Sequence, residues 1–539
     1  MGAGASISKY ATDTLTAEQA KELTGEKYWD EATYNAAKNE SGEVTKAKFL
    51  ECAKKAGFVV VPATGALTDV MVLSGPVVGK VDSNSAIILL EVDEATSVSA
   101  ILKSSCGHEV RATRDFPAGE ARAFAIKGLK PNTTYTYSFE GLAPSQLSEI
   151  ASLDTTIKTF PEKIETVRLI ALSCDRPDRL LKGERNPWEK INTSDSCDVM
   201  LHLGDQVYTK MHNFLQRAEM KMDLYHHPSA SDAGKKKMIC QAEEELRGAY
   251  RYVWNLPSTR AVLAKSSHLM LWSDNDVAND FTEKEKKDGS QYYSEEFIQA
   301  GMGVFTEYQR QLWDPSCEGR LPHQIDPQKV DERMKEWHFH RYGPLGVFMV
   351  DMRGNRITSG GIMKKGNLMS EEQIDALKNA LANEDITCMV IASEIPFVSN
   401  EAAAVREEAK KIKFLEGHWA YDEEGTSALF DMCFEWKAAK EGRDIVLIGG
   451  DVHIGYTTEL THKETNATIR AVCASPITNH VTPFYNPPEG DYGKYHFKHT
   501  PHLNMRNYCV LQASFDEAGK CKLDVNLELI ETKGGDGHE

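Results

Sequence analysis

Residues 201–208, LHLGDQVY, constrain this chain more than any other stretch. The apolar run Val199-Met-Leu-His-Leu ends at Gly204-Asp205. It reads as a buried strand that stops at a tight turn and leaves a carboxylate at its C-terminal end. In open α/β sheets that end is where ligands and metals sit. Three more stretches share the design. Ile445-Val-Leu-Ile-Gly-Gly runs into Asp451-Val-His453, His268-Leu-Met-Leu-Trp into Ser273-Asp274-Asn275-Asp276, and Val167-Arg-Leu-Ile-Ala-Leu into Ser173-Cys174. Tyr208 comes shortly after Asp205. Any one such tip reads as ordinary turn chemistry. Four of them, each carrying metal-ligand side chains, predict a metal cluster.

The chain has 539 residues, room for two or three domains and a large core. Its formal net charge of −18 speaks against a nucleic-acid backbone as the main partner. No apolar run approaches the roughly 18 residues of a membrane span, and the N-terminus lacks the apolar core of a secretory signal. Eleven cysteines without a CxxC pair fit free thiols in a reducing compartment, hence a cytoplasmic protein. Met1-Gly2-Ala3-Gly4-Ala5-Ser6 matches the acceptor pattern for N-myristoylation on Gly2, although a small-residue start matches it by chance too. One acyl chain binds membranes only marginally, so weak reversible membrane contact is the expectation.

Along the chain, residues 15–57 read as helical. Within them, residues 39–48 resemble an EF-hand loop with Gly42 at its sixth position. Ala37 then falls at the first position and Lys48 at the twelfth, where calcium needs acidic ligands, so a loop that does not bind calcium is expected. Residues 75–158 carry short β-branched runs. Gly128-Leu-Lys-Pro-Asn-Thr-Thr-Tyr135-Thr-Tyr137 resembles the tyrosine corner of a β-sandwich. From Glu165 onward strands alternate with helical segments, which predicts α/β layering. Residues 226–237, HHPSASDAGKKK, read as an exposed loop, and residues 534–539 as a frayed tail.

Cys174, Asp205, Tyr208, Asp274, Asp451 and His453 supply sulfur, carboxylate, phenolate and imidazole. Phenolate and carboxylate suit a trivalent or oxygen-seeking metal better than zinc alone. Two ions bridged by one carboxylate hold a hydroxide in line with phosphorus and stabilise the leaving oxygen. Arg353, at the end of another buried run, offers two donors to phosphate oxygens. Local roles also explain each residue singly: turn caps, a small buried Cys174, a packing Tyr208, an Arg353–Asp351 pair. They do not explain why the same placement recurs four times.

Ser173-Cys174, GDQVY (204–208), WSDNDVAND (272–280), VDMRGNR (350–356) and GDVH (450–453), in this order, resemble the PhoD-type alkaline phosphatases and phosphodiesterases of the metallophosphoesterase superfamily. The likeness spans roughly residues 75–515, about four-fifths of the chain. It implies an α/β fold of four layers, with two facing mixed sheets flanked by helices, preceded by an all-β fibronectin- or immunoglobulin-like domain. The chain then divides into residues 1–70 (acylation motif and degenerate EF-hand-like helical segment), 71–160 (β-sandwich) and 161–539 (catalytic domain). The resemblance implies a ferric ion with calcium, Fe3+ and Ca2+, held by residues matching Cys174, Asp205, Tyr208, Asp274, Asn279 or Asp280, Asp451 and His453. Asp205 matches the bridging ligand, and Mn2+ or Zn2+ stay open on the same donors.

The family's third motif reads WDDHEVxNN. Here Ser273, Asn275 and Asp276 stand for its first Asp, its His and its Glu. Asn donates a hydrogen bond but cannot deliver a proton, so slower turnover or a preference for good leaving groups is expected. The expected function is hydrolysis of phosphate mono- or diesters by a metal-bound hydroxide, with Arg353 and Asn275 on the phosphoryl oxygens. The substrate is a phosphate-ester small molecule or a lipid headgroup. A catalytically reduced phosphate-ligand-binding or scaffold protein on the same fold is the rival reading.

Overall fold

The computed structural model of the chain describes residues 14–24, 34–35, 37–38, 44–45, 48, 70–181, 183–211, 214, 232–277, 279, 295–319, 335–354, 358–359, 362–363, 368–482, 487–502 and 504–530. Gly2, Asp280, most of the EF-hand-like loop and the C-terminal tail lie outside the described residues.

The N-terminal segment is helical at Ala17–Thr24. Thr16 and Gln19 cap its start reciprocally, Thr16 N donating to Gln19 Oε1 at 2.9 Å and Gln19 N to Thr16 Oγ1 at 3.3 Å. The helical expectation over residues 15–57 fails at Leu15 and at Val44–Thr45, since Thr14–Leu15 and Val44–Thr45 pair as antiparallel strands. Local propensity does not register a backbone partner some thirty residues away.

Next come two small antiparallel sheets. One joins Val72–Val81, Ser85–Val92 and Arg122–Lys127; the other joins Glu109–Phe116, Thr96–Ser104, Thr134–Glu140 and Thr156–Lys158. Ile88, Leu90 and Phe124 of the first share a core with Ala100, Leu102, Tyr137 and Phe139 of the second. Tyr135 Oη accepts a hydrogen bond from Lys130 N at 2.9 Å, the back-reaching bond of a tyrosine corner.

The larger part is α/β. A five-stranded sheet runs Ser267–Leu271, Val199–Leu203, Thr166–Leu172, Arg506–Phe515, Cys521–Ile530. An eight-stranded sheet runs His338–Tyr342, Leu345–Met349, Cys388–Ala392, Asp444–Gly449, Thr468–Cys473, Tyr456–His462, Tyr495–His499, Glu489–Tyr492. Leu169, Leu201 and Leu269 of the first sheet meet Val347, Val390, Val446 and Ile448 of the second in one apolar core, so the sheets face each other. The strands carrying the expected tips are parallel within each sheet, and both of their faces are covered by apolar packing. That double burial is why they read as unbroken apolar runs. Helices Glu371–Leu381 and Glu423–Ala438 pack on the outer face of the larger sheet, and Pro187–Ser194 and Pro257–Leu263 on that of the smaller.

The loop expected over residues 226–237 is corrected at its second half. A helix runs Asp232–Trp254, driven by the buried stripe Ala242, Leu246, Ala249, Val253 and extending N-terminally through lysines that are good helix formers. Among the described residues no helix is long and apolar enough to cross a membrane.

Candidate active site

Parallel pairing brings Cys174, Asp205 and Asp274 to one end of the smaller sheet. The Asp444–Gly449 strand delivers Asp451 and His453 from the larger one. The two sets of tips touch: Asp451 N donates to Ser173 Oγ at 3.3 Å, and Cys174 Sγ lies 3.5 Å from Asp451 O. Cys174, Asp205, Asp451 and His453 all have left-handed backbone, with φ of 62°, 56°, 65° and 56°. This conformation costs roughly 1–2 kcal/mol for an L-residue, and such strain concentrates at functional sites. Gly204 sits at φ 93°, and a Cβ there would lie 2.5 Å from Ser273 Cβ; a Cβ at Gly450 would lie 2.6 Å from Ser173 Cβ. The two Gly-Asp pairs therefore reflect how closely neighbouring tips approach.

Cys174, Asp205 and His453 each bring one donor atom within 4.8 Å of the others, and Asp205, Asp274 and Asp451 do the same. Asp205 belongs to both groups. Cys174 Sγ lies 3.7 Å from Asp205 Oδ2 and accepts from Ser475 Oγ at 3.3 Å. Tyr208 Oη is 3.0 Å from His453 Nε2, and Asn479 Nδ2 is 3.2 Å from the same nitrogen. Burial, then the charges of Asp274, Asp451 and Asp276, push the Asp205 carboxyl well above its ordinary range. Burial and the Asp205 carboxylate raise both the Cys174 thiol and the Tyr208 phenol. Burial, helped by His480, holds His453 down at about 3. Carboxylates, a thiol and a phenol are packed against one another here, and a cation is the counter-charge this donor set fits.

Asn275 grips the shared carboxylate, its N donating to Asp205 Oδ1 and its Nδ2 to Asp205 Oδ2, each at 3.2 Å. Asp274 accepts from Ser273 Oγ at 3.1 Å and lies 3.6 Å from Arg353 Nη2. Arg353 is buried, with Nε 2.8 and 2.9 Å from the two Glu394 oxygens. Asp351 accepts from the backbone N–H of Arg353 at 2.9 Å. Asn279 lies half-buried just past this turn.

Several roles here are not legible in the sequence. Asp276 braces the tips: it accepts from Asp205 N (2.9 Å), Gln206 N (3.0 Å), Ser273 N (2.8 Å) and Gln309 Nε2 (2.9 Å). Glu394 comes just after the buried Cys388–Ala392 strand and carried the same strand-end signal as the others. Gln309, Asn479, His480 and Arg176 carried none. The His480 ring sits 4.8 Å from that of His453, and the Arg176 guanidinium carbon 5.5 Å from the centre of the Tyr208 ring.

The family model of the PhoD-like phosphatases matches residues 169–533. No curated protein matches the sequence. Among solved structures, that of PhoD is similar over 88% of this chain and 95% of its own, at 14% identity and a TM-score of 0.57, which speaks for a shared fold. The sensor domain of the anti-sigma factor RsgI4 in Pseudobacteroides cellulosolvens covers 18% of this chain and 94% of its own at 24% identity. Its TM-score of 0.14 carries no argument.

Proposed function

The chain belongs to the PhoD-like phosphatase family, and from that premise we propose that it is a metal-dependent hydrolase of phosphate mono- or diesters, taking a small molecule or a lipid headgroup as substrate. The observation that supports this most is Asp205, common to both donor groups. In this reading Cys174, Asp205, Tyr208 and His453 hold one cation. Asp205, Asp274 and Asp451 hold the other, with Asn279 or Asp280 as a further ligand. The sulfur–phenolate side suits Fe3+ and the oxygen side Ca2+, with Mn2+ and Zn2+ as alternatives. Bound there, the two cations would supply a hydroxide nucleophile and neutralise the leaving oxygen. Asn275 holds Asp205 in place and offers a phosphoryl oxygen a hydrogen bond but no proton. Arg353, expected on the same oxygens, is instead paired with Glu394 and orients Asp274.

The facing sheets with helices outside support a four-layer metallophosphoesterase sandwich over residues 161–539. The two small sheets support a fibronectin- or immunoglobulin-like domain over residues 71–160, with residues 1–70 as a separate N-terminal segment carrying the acylation motif. Myristoylation at Gly2, weak reversible membrane contact and a cytoplasmic location are proposed from the sequence alone. Intact mass of protein made in a eukaryotic host decides the acylation.

The deciding experiment is metal analysis of purified protein together with turnover of 4-nitrophenyl phosphate and bis(4-nitrophenyl) phosphate. Bound metal with release of nitrophenol from either ester supports the hydrolase. Metal-loaded protein that turns over neither overturns it in favour of a phosphate-ligand-binding protein.

A further inference from the structure

The sequence offers Arg353 as the cation for substrate oxygens, but its guanidinium is already engaged. Nε is held by Glu394, and Nη2 lies 3.4 Å from Ser273 Oγ and 3.6 Å from Asp274 Oδ1. Arg176 differs. Its guanidinium stands over the face of Tyr208, a member of the proposed ligand set, with the carbon 5.5 Å from the ring centre. Nε donates to Asp178 Oδ1 at 3.2 Å, and neither Nη has a hydrogen-bond partner among the described residues. The side chain keeps 18% of its surface exposed, so it opens to solvent while its stem is packed. Two parallel donors, aimed by a ring on one side and a carboxylate behind, make the fork that recognises phosphate and carboxylate.

Arg176 is not alone. His480 packs edge-on against His453, and its Nδ1 is tied to Asn479 Oδ1 at 2.9 Å, which directs Nε2 away from that bond. Arg179 N donates to Arg176 O at 3.0 Å, and Arg506 Nη2 donates to Arg179 O at 2.9 Å, so the three arginines share one neighbourhood. Arg506 is buried, donating to Thr478 O, Asn479 O and Glu184. Arg179 is exposed. In a chain of net charge −18 this is a local cationic rim. It lies at the Tyr208–His453 end of the site.

We propose that Arg176, flanked by Arg179 and His480, forms a subsite for an anionic group of the substrate other than the reacting phosphoryl group. The preferred substrates are therefore phosphoesters bearing a second phosphate or carboxylate. This rests on the hydrolase reading above. Arg176 is here a specificity residue, not part of the bond-breaking machinery.

The test uses metal-loaded full-length protein and two diesters with the same leaving group: thymidine 5′-(4-nitrophenyl phosphate) and its 3′-phosphorylated counterpart. The wild type is expected to favour the second in kcat/KM by about tenfold or more, as befits one charge-assisted bond, and mainly through KM. R176A should bring that ratio close to one, and R176K, which keeps the charge but loses the fork, should retain part of it. A wild type without the preference, or a ratio that R176A leaves intact, overturns the subsite while the hydrolase stands. Wild type that turns over no ester refutes the hydrolase instead. Calorimetry then judges the subsite by itself: thymidine 3′,5′-bisphosphate must bind more tightly than thymidine 5′-phosphate, and R176A must remove the difference. Equal binding of the two overturns it.

Discussion

Asp205→Asn removes one negative charge from the cluster without changing its shape. Asp274 and Asp451 each place a donor atom within 4.8 Å of Asp205. Two unit charges at that separation repel by about 3.5 kcal/mol at an effective dielectric constant near 20. Relief from both neighbours is then worth about 7 kcal/mol, of which protonation within the metal-free wild type has already relieved part. Against this, the new amide turns an N–H toward one of the two Asn275 donors that now sit 3.2 Å from the carboxylate. A buried hydrogen bond lost in this way costs about 1–3 kcal/mol. The metal-free variant should therefore be more stable than metal-free wild type, by something on the order of 2 kcal/mol. With metals the sign reverses, because a neutral amide does not bridge two cations. The assay is unfolding of chelator-treated and metal-loaded protein in parallel, with metal content by mass spectrometry and turnover on the loaded samples. A higher midpoint without metal, a smaller gain on loading and no hydrolysis are expected. A metal-free variant that unfolds before wild type refutes the repulsion argument, and full metal content with full turnover refutes the shared-carboxylate assignment.

Three further predictions bear on the same architecture. Iron-loaded protein should be coloured by charge transfer from the Tyr208 phenolate, and Tyr208→Phe should bleach it while the fold survives; colour that persists in the variant places the phenolate elsewhere. Asp276→Asn keeps the shape of the brace but turns an amide toward buried N–H donors of the Asp205 and Ser273 tips, so a loss of about 2–6 kcal/mol is expected, read as a lower unfolding midpoint together with weaker metal binding. An unshifted midpoint would remove Asp276 from that role. Deeper in the smaller sheet, His202 Nε2 lies 2.9 Å from His268 Nδ1, and burial holds His268 at about 4 against an ordinary 6.5. The unfolded chain takes up that proton first, so stability should fall as pH drops from about 6.5 towards 4, by about 3 kcal/mol for this group. An unfolding midpoint that stays level between pH 7 and pH 4.5 would count against it.

How much of the site could be read from the chain depends on how far each signal reaches. Cys174, Asp205, Asp274 and Asp451 were legible because a parallel strand buried on both faces must be an unbroken apolar run, and the residues just past its C-terminal end lie where such sheets bind ligands. Glu394 carried the same mark and was passed over, since nothing local distinguishes a carboxylate that serves an arginine from one that serves a metal. Asp276 was aligned by motif, yet its role depends on Gln309 and on the backbone of another strand's tip. The lysine-rich stretch at 235–237 looked like loop because the stripe that makes it helical begins several residues later.

The chain alone thus settled the donor chemistry and the strand ends that carry it, because both depend on residue type and on periodicities of a few residues. Only the tertiary structure decided that one carboxylate serves both donor groups, that Arg353 is committed to Glu394, and that Arg176 is left facing outward over Tyr208. Tyr208 and His453 meet across 245 positions of sequence, through two sheets whose strand order no local pattern encodes. Contacts of that kind exist only once the apolar faces of those sheets have been buried against each other.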